Sequence, residues 1–495
     1  MRFQLSQIGI AATLLAATVS VALLAPLAHG EEVGASDSKG INLTIYNQNF
    51  GLVKDVRDVT LNTGINFVRF ADVAAQIDPT SVSFASLTAP NAVVVREQNY
   101  QYDLIDPTTI LAKSIGKTLK FRQIGPSGTM REFTGTLLNS PRATVADPSG
   151  GSSVRWQGLV VRTPEGVVLN PAGEIELSEL PPGLISKPSL LWKLESTKAG
   201  EHQTEIAYQT AGMNWHADYV AVLNKDDNQL DLTSWVTLDN KSGASYKNAA
   251  LKLMAGDVRK VQDEERYMRG AQAVDAAIPM APQPQFQEQA FAEYHLYTLQ
   301  GKTDVNDNET KQLSLFNANQ VPAHKSFVYD PAPTVYYPWM SGGGDRSKKV
   351  AVKIEVDNSE KNHLGMPMPK GKVRVYKRDA DGALQFIGED LIDHTPRDEK
   401  IRLYIGDAFD VVGERRQVTS QRINDRVTRE TYEISLRNHK DKEVTVTAVE
   451  HAGGTWKILS SSHEYKKKDA STFEFNVAVP ANGEVKITYE IEHRY

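Results

Sequence analysis

Apolar residues recur at every second position through the C-terminal half of this chain, and no other feature narrows its fold as far. Val350, Val352, Ile354 and Val356 alternate with Ala351, Lys353 and Glu355. The same pattern runs through Tyr432, Ile434 and Leu436, through Phe473, Phe475, Val477 and Val479, and through Val485, Ile487, Tyr489 and Ile491. A two-residue period sends alternate side chains to opposite faces of a strand, so each run predicts a strand with one dry face. With turns at 438–442 and at Ala481-Asn482-Gly483, these runs predict an antiparallel sheet packed as in immunoglobulin-like sandwiches.

The pattern breaks at Leu364-Gly365-Met366-Pro367-Met368-Pro369. Two prolines two residues apart remove two ladder donors, so this piece is expected as an extended edge or crossover and not as a central strand. Asp379-Ala380-Asp381-Gly382 then marks a tight hairpin, Asp393-His394-Thr395-Pro396 a corner, and Ile401, Leu403 and Ile405 resume the alternation up to Gly406. This run, with Trp215-His216-Ala217-Asp218-Tyr219 and Leu238-Asp239-Asn240-Lys241-Ser242-Gly243, resembles the bacterial domain-of-unknown-function family 4139, relatives of the mucoidy-inhibitor proteins. The likeness extends to residues 42–70, to Ile115-Gly116-Lys117 and to Leu180-Pro181-Pro182-Gly183-Leu184, and so covers nearly all of the mature chain. The mucoidy-inhibitor relatives carry a coiled coil, whereas no sustained heptad run occurs here, and the role of that arm is not transferred. The family has no established activity, so the resemblance implies architecture and not chemistry.

Residues 1–30 have Arg2 as their only charge, an apolar core over 8–27 and the small-x-small sequence Ala28-His29-Gly30, which is the pattern of a secretory signal. Pro26 breaks the core, which favours cleavage over retention as an anchor. No second apolar run reaches spanning length, so no transmembrane span is expected after signal removal, and the expected location is periplasmic or secreted. The chain contains no cysteine, which excludes disulfides, thiolate catalysis, Cys-ligated zinc and an acylated N-terminal cysteine. A net charge of -6 spread along the chain supplies no basic face for nucleic acid.

The expected class is all-β and multidomain. A linker at 31–40 leads to an N-terminal β domain over 41–115, with a hairpin signal at Asn62-Thr63-Gly64. Five short strands separated by Gly/Pro turns predict a small inserted β-barrel over 116–183. A β-sandwich follows over 184–345, with a Pro-, Gln- and Ala-rich insertion of loop or disordered character at about 259–292. A C-terminal β-sandwich region occupies 346–495. The alternating end at Ile487, Tyr489 and Ile491 also suits an outer-membrane barrel, but short strands with Lys, Glu and Arg on their outward faces weigh against lipid contact.

Chemical signatures are sparse: Gly-x-Ser-x-Gly, His-Glu-x-x-His and phosphate-binding glycine loops are absent. Asp393-His394 has the makings of a base and its orienting carboxylate, yet beside Pro396 a turn role is expected. His216 and Asp218 share one face of a strand without a third metal ligand, and Asp304-Val305-Asn306-Asp307-Asn308 begins like a calcium loop but lacks the later glycine and acid. No cofactor, metal or catalytic residue is expected. Tyr336, Tyr337 and Trp339, interleaved with Pro331, Pro333 and Pro338, are the candidate binding residues, either buried in a seam or exposed to a peptide or glycan. The expected function is that of an exported, non-enzymatic binding or scaffolding component of the cell envelope, with an envelope protein or glycan as partner. The alternative is a carbohydrate-active or other hydrolase whose carboxylates converge only on folding.

Overall fold

A computed structural model describes residues 31–124, 130–146, 152–259, 285–331 and 348–494. Strand accounts for 67% of it and helix for 4%, so the chain is all-β. Its two compact units are interleaved in sequence. Among the described residues, one gathers 31–36 with 58–71 and 86–203, and the other 37–57, 72–85 and those from 204 onward.

In the first unit a four-stranded sheet runs in the order Glu31–Val33, Gly64–Ala71, Ser189–Ser196, Val93–Gln101. Phe70 and Trp192 meet edge-on beneath it with centroids 5.0 Å apart, and Trp192 Nε1 donates to Gln98 Oε1 at 2.9 Å. The barrel expected over 116–183 does not close. Its strands form an open sheet in the order Gly166–Leu169, Val160–Thr163, Met130–Leu137, Thr118–Ile124, Glu174–Glu176. The edge strands Gly166–Leu169 and Glu174–Glu176 each pair on one side only, with Val160–Thr163 and Thr118–Ile124, while Arg142–Ala146 and Ser152–Trp156 pair off as a separate two-stranded sheet. The sheet wraps a small core of Leu119, Phe121, Leu137 and Val161, completed by Leu111 from the helix Pro107–Ala112.

In the larger unit an eight-stranded sheet contains the path Phe286–Phe291, Tyr294–Leu299, Tyr246–Ala255, Ser38–Tyr46, Phe50–Leu61. Phe286–Phe291 falls inside the tract expected as loop. Ala292, at φ 52°, turns the chain so that six residues pair back onto Tyr294–Leu299. A five-stranded sheet follows in the order Glu309–Pro322, Gln229–Asn240, Met213–Leu223, Gly371–Arg378, Leu384–Ile392. A nine-stranded sheet has Lys400–Asn424 near its middle, between Lys349–Asp357 and Val427–Asn438.

Two cores share these strands. Ile354, Val356, Ile401 and Leu403 pack with Ala217, Tyr219, Val373 and Val375 of the five-stranded sheet. Val350 and Val411, from the same two strands, pack instead with Ile434, Phe475 and Tyr489. Between the cores the register shifts at Val352/Lys353, opposite Gly406 at φ 139°. Only glycine takes that backbone angle at little cost, and it lets the strand re-aim its faces.

Candidate functional site

Because Pro367 and Pro369 have no N–H, the segment around them is held through its carbonyls. Asn358 Nδ2 donates to Met366 O and to Pro396 O, each at 2.9 Å, and Asn358 Oδ1 accepts from Gly365 N at 3.0 Å. Tyr297 Oη donates to Pro367 O at 2.9 Å, Thr395 N to Met368 O at 2.9 Å and Tyr219 Oη to Pro369 O at 2.7 Å. Every carbonyl from Met366 to Pro369 therefore has a donor. Burial pushes both tyrosine hydroxyls far above their ordinary value, which keeps them protonated and able to donate.

The corner at Asp393-His394 belongs to the same clasp. His394 Nδ1 accepts from Lys370 N at 3.2 Å, and Nε2 lies 3.2 Å from the side-chain amide of Asn47. A neutral ring that accepts at Nδ1 carries its proton on Nε2, where the atom at 3.2 Å is Asn47 Nδ2, and turning that amide over would set Asn47 Oδ1 opposite the proton. Burial, with Lys370 adding to it, pushes the His394 imidazole below its ordinary value and favours that neutral form. Asp393 enters through its backbone, whose carbonyl accepts from Thr395 Oγ1 at 2.9 Å. Both ring nitrogens are thus committed to holding a turn.

The calcium-like run resolves in the same way. Asp304 Oδ1 accepts from Asn248 N at 2.8 Å and Asp307 Oδ1 from Gly243 N at 2.9 Å. Lys247 Nζ lies 3.3 Å from Asp304 Oδ2 and 2.6 Å from Asn306 Oδ1. The ammonium of Lys247, from the strand Tyr246–Ala255, stands where a cation would sit beside the turn joining Thr303–Val305 to Glu309–Pro322. Inside the second shared core, Arg415 Nε lies 3.0 Å from both Glu450 oxygens, Tyr489 Oη donates to Glu450 Oε2 at 2.5 Å, and the Arg415 guanidinium lies 3.8 Å from the Tyr432 ring centre. Burial pushes the Glu450 carboxyl above its ordinary value against the pull of Arg415 and Tyr489.

The open face of the five-stranded sheet is different. Alternation along Met213–Leu223 buries Trp215, Ala217 and Tyr219 and turns His216, Asp218 and Val220 outward, as the pattern predicts. Register places Asp218 between Trp235 and Lys372, and Val220 between Thr233 and Arg374. Asp218, only 8% exposed, accepts at Oδ2 from Thr237 Oγ1 at 2.6 Å, with His216 Nε2 3.2 Å away, and at Oδ1 from Arg374 Nη1 at 3.3 Å. Glu389 lies 3.6 Å from Arg374 Nε and 3.4 Å from Lys372 Nζ. Around this polar grid stand Trp235, 36% exposed, Phe386, 55%, and Leu391, 72%. Tyr376 meets Phe386 with centroids 5.7 Å apart.

His216 and Asp218 were legible as one face. Trp235 was missed, although its signal is present: Leu230, Leu232, Ser234, Val236 and Leu238 are the buried phase of that strand, and Trp235 is out of phase with them. Arg374, Glu389 and Leu391 come from distant strands and carry no local mark. Tyr336, Tyr337 and Trp339 lie outside the described residues. Among the described residues, no group of three His, Asp or Glu side chains gathers to hold a metal ion.

These features define an all-β protein with a clasped crossover and one polar-aromatic sheet face. The chain belongs to the family described as Domain of unknown function (DUF4139), which matches residues 204–495 and so takes in the face and all of the clasp but Asn47. No curated protein matches the chain. Among the described residues no helix is long and apolar enough to cross a membrane.

Proposed function

We propose that this protein is an exported, non-enzymatic binding or scaffolding component of the bacterial cell envelope, built on immunoglobulin-like sandwiches. It works through the open face of the five-stranded sheet. The carrying observation is that Trp235, Phe386 and Leu391 are exposed on a face whose central charged groups, Asp218, Arg374, Lys372 and Glu389, are already paired with one another, since clustered exposed apolar groups mark interaction sites. Two of the strand edges are poorer candidates. Val93–Gln101 is bulged where it passes Lys193/Leu194, and Glu309–Pro322 shifts register twice against Gln229–Asn240. Bulged edges resist the addition of a further strand.

The secretory pattern of residues 1–30 supports a periplasmic or secreted location, with the mature chain starting near Glu31. The test is a photo-crosslinking amino acid at position 391, activated in intact envelopes, with position 302 on an exposed turn as control. A dominant adduct from 391 and not from 302 is expected. Equal, diffuse labelling from both positions would sink the proposal.

A further inference from the structure

The geometry points to a neutral polysaccharide as the ligand of this face, an inference that rests on the binding role proposed above. At the centre of the face the charges cancel: Asp218 and Glu389 are matched by Arg374 and Lys372 at 3.3–3.6 Å, while Asp231 and Asp239, in phase with Trp235 on its strand, accept from Gln320 N and Thr310 Oγ1. An anionic lipid, nucleic acid or acidic glycan would find no net positive field there. Each would have to break an existing pair to make its own.

The pairs nevertheless leave hydrogen-bonding capacity in both directions. A guanidinium has five N–H groups, and the contacts of Arg374 use Nη1 and Nε. Half-exposed His216 meets Asp218 through Nε2 only, and Thr237 already accepts from Gln312 Nε2 at 3.1 Å while donating to Asp218. Sugar hydroxyls donate and accept in the same way without charge. Their ring C–H faces suit an exposed indole, which offers a large rigid surface at small entropic cost.

Dimensions agree with a chain and not a single sugar. Trp235, Asp218, Lys372 and Leu391 form one row across four neighbouring strands, about 14 Å from end to end at the usual strand spacing. The row is apolar at both ends and polar in the middle. A protein partner burying the whole face would strip water from Arg374, Lys372 and Glu389, at a cost that pairing alone seldom recovers.

The test titrates the full mature chain with hexamers of β-1,4-linked glucose and of β-1,4-linked N-acetylglucosamine, with polygalacturonate as the anionic comparison, by calorimetry. Saturable binding of at least one neutral hexamer is expected, unchanged by added salt. Trp235→Ala is expected to weaken it about tenfold or more, equivalent to ~1.4 kcal/mol, and Trp235→Phe to restore most of the loss. Leu391→Ala, at a highly exposed position, weakens the same binding without any route through unfolding. Preference for polygalacturonate, no binding of either neutral hexamer, or wild-type affinity in both Trp235→Ala and Leu391→Ala would overturn the inference. A protein adduct from position 391 with no neutral-glycan binding would overturn it while leaving the binding role intact. No adduct and no glycan binding would remove both.

Discussion

Replacing Asn358 with alanine removes the hub of the clasp without touching the backbone bonds beside it. Asn358 is fully buried, and its main chain still donates to Glu399 O at 2.8 Å and accepts from Asp398 N at 2.7 Å. What is lost is the side-chain partner of three groups: Met366 O, Pro396 O and Gly365 N. A buried polar group left without a partner costs about 1–3 kcal/mol, so the three together cost about 3–6 kcal/mol once water reaches those nearest the surface. Asn358→Asp is worse, because it keeps the shape, turns two donors into an acceptor facing two carbonyls, and buries a charge. Urea unfolding followed by tryptophan fluorescence reads both variants, and a shifted midpoint at unchanged slope reports stability alone. Two results would refute the reasoning: Asn358→Ala within about 1 kcal/mol of the parent, or Asn358→Asp more stable than Asn358→Ala.

Two further outcomes concern pH. Burial alone would raise the Asp227 carboxyl, but Lys377 beside it and Lys325 at 2.9 Å hold it below its ordinary value of 3.8. Its stabilisation is therefore present above pH 3.8 and lost as pH falls through the lower folded value. Asp227→Asn should lower the melting temperature at neutral pH and flatten the acid limb of a melting-temperature profile. An acid limb as steep as the parent's would count against the lysine clamp. His394 has its folded value below the ordinary 6.5, so the unfolded chain takes up its proton first and stability falls as pH drops below 6.5. His394→Gln should shed that part of the decline, and an identical decline in parent and variant would contradict a buried neutral ring.

Legibility followed range. The alternating runs at 350–356, 401–405, 432–436, 473–479 and 485–491 all lie in strands, with Val350, Ile354, Ile434, Phe475 and Ile487 fully buried, because a two-residue period is written locally. The proline pair correctly excluded Leu364 to Pro369 from the ladders. Its only bridge is Met368 to Thr395. What the pattern lacked was pairing between distant segments. Closure of a barrel over 116–183 depends on whether two short edge strands meet, and no residue in either one encodes that. Asn358 reads as an ordinary turn residue in Asp357-Asn358-Ser359, since its partners at Met366 and Pro396 become neighbours only when the crossover folds back. The outward face was half visible for the same reason: His216 and Asp218 sit on one strand, whereas Arg374 and Glu389 reach them from two others.

The family match and the compact unit do not coincide, and the difference has a physical consequence. The match begins at residue 204, within Gly200–Ala211, but the unit also contains residues 37–57 and 72–85. Ser38–Tyr46 pairs in parallel with Tyr246–Ala255, and Leu43, Ile45, Leu251 and Leu253 are all buried there. Ser242 O accepts from Ala75 N at 2.8 Å, and Gln76 Nε2 donates to Lys241 O at 2.7 Å. The upstream segments thus supply a strand and a cap that the matched region lacks. Without them Leu251 and Leu253 regain water at about 1.5–3 kcal/mol each, and Tyr246–Ala255 gains an open apolar edge that recruits other chains. A fragment of residues 204–495 is therefore expected to aggregate when expressed alone and to become soluble with residues 31–203 supplied on a second chain. A monomeric fragment of 204–495 unfolding in one sharp transition would show that those strands are dispensable, and that the DUF4139 region closes its own core.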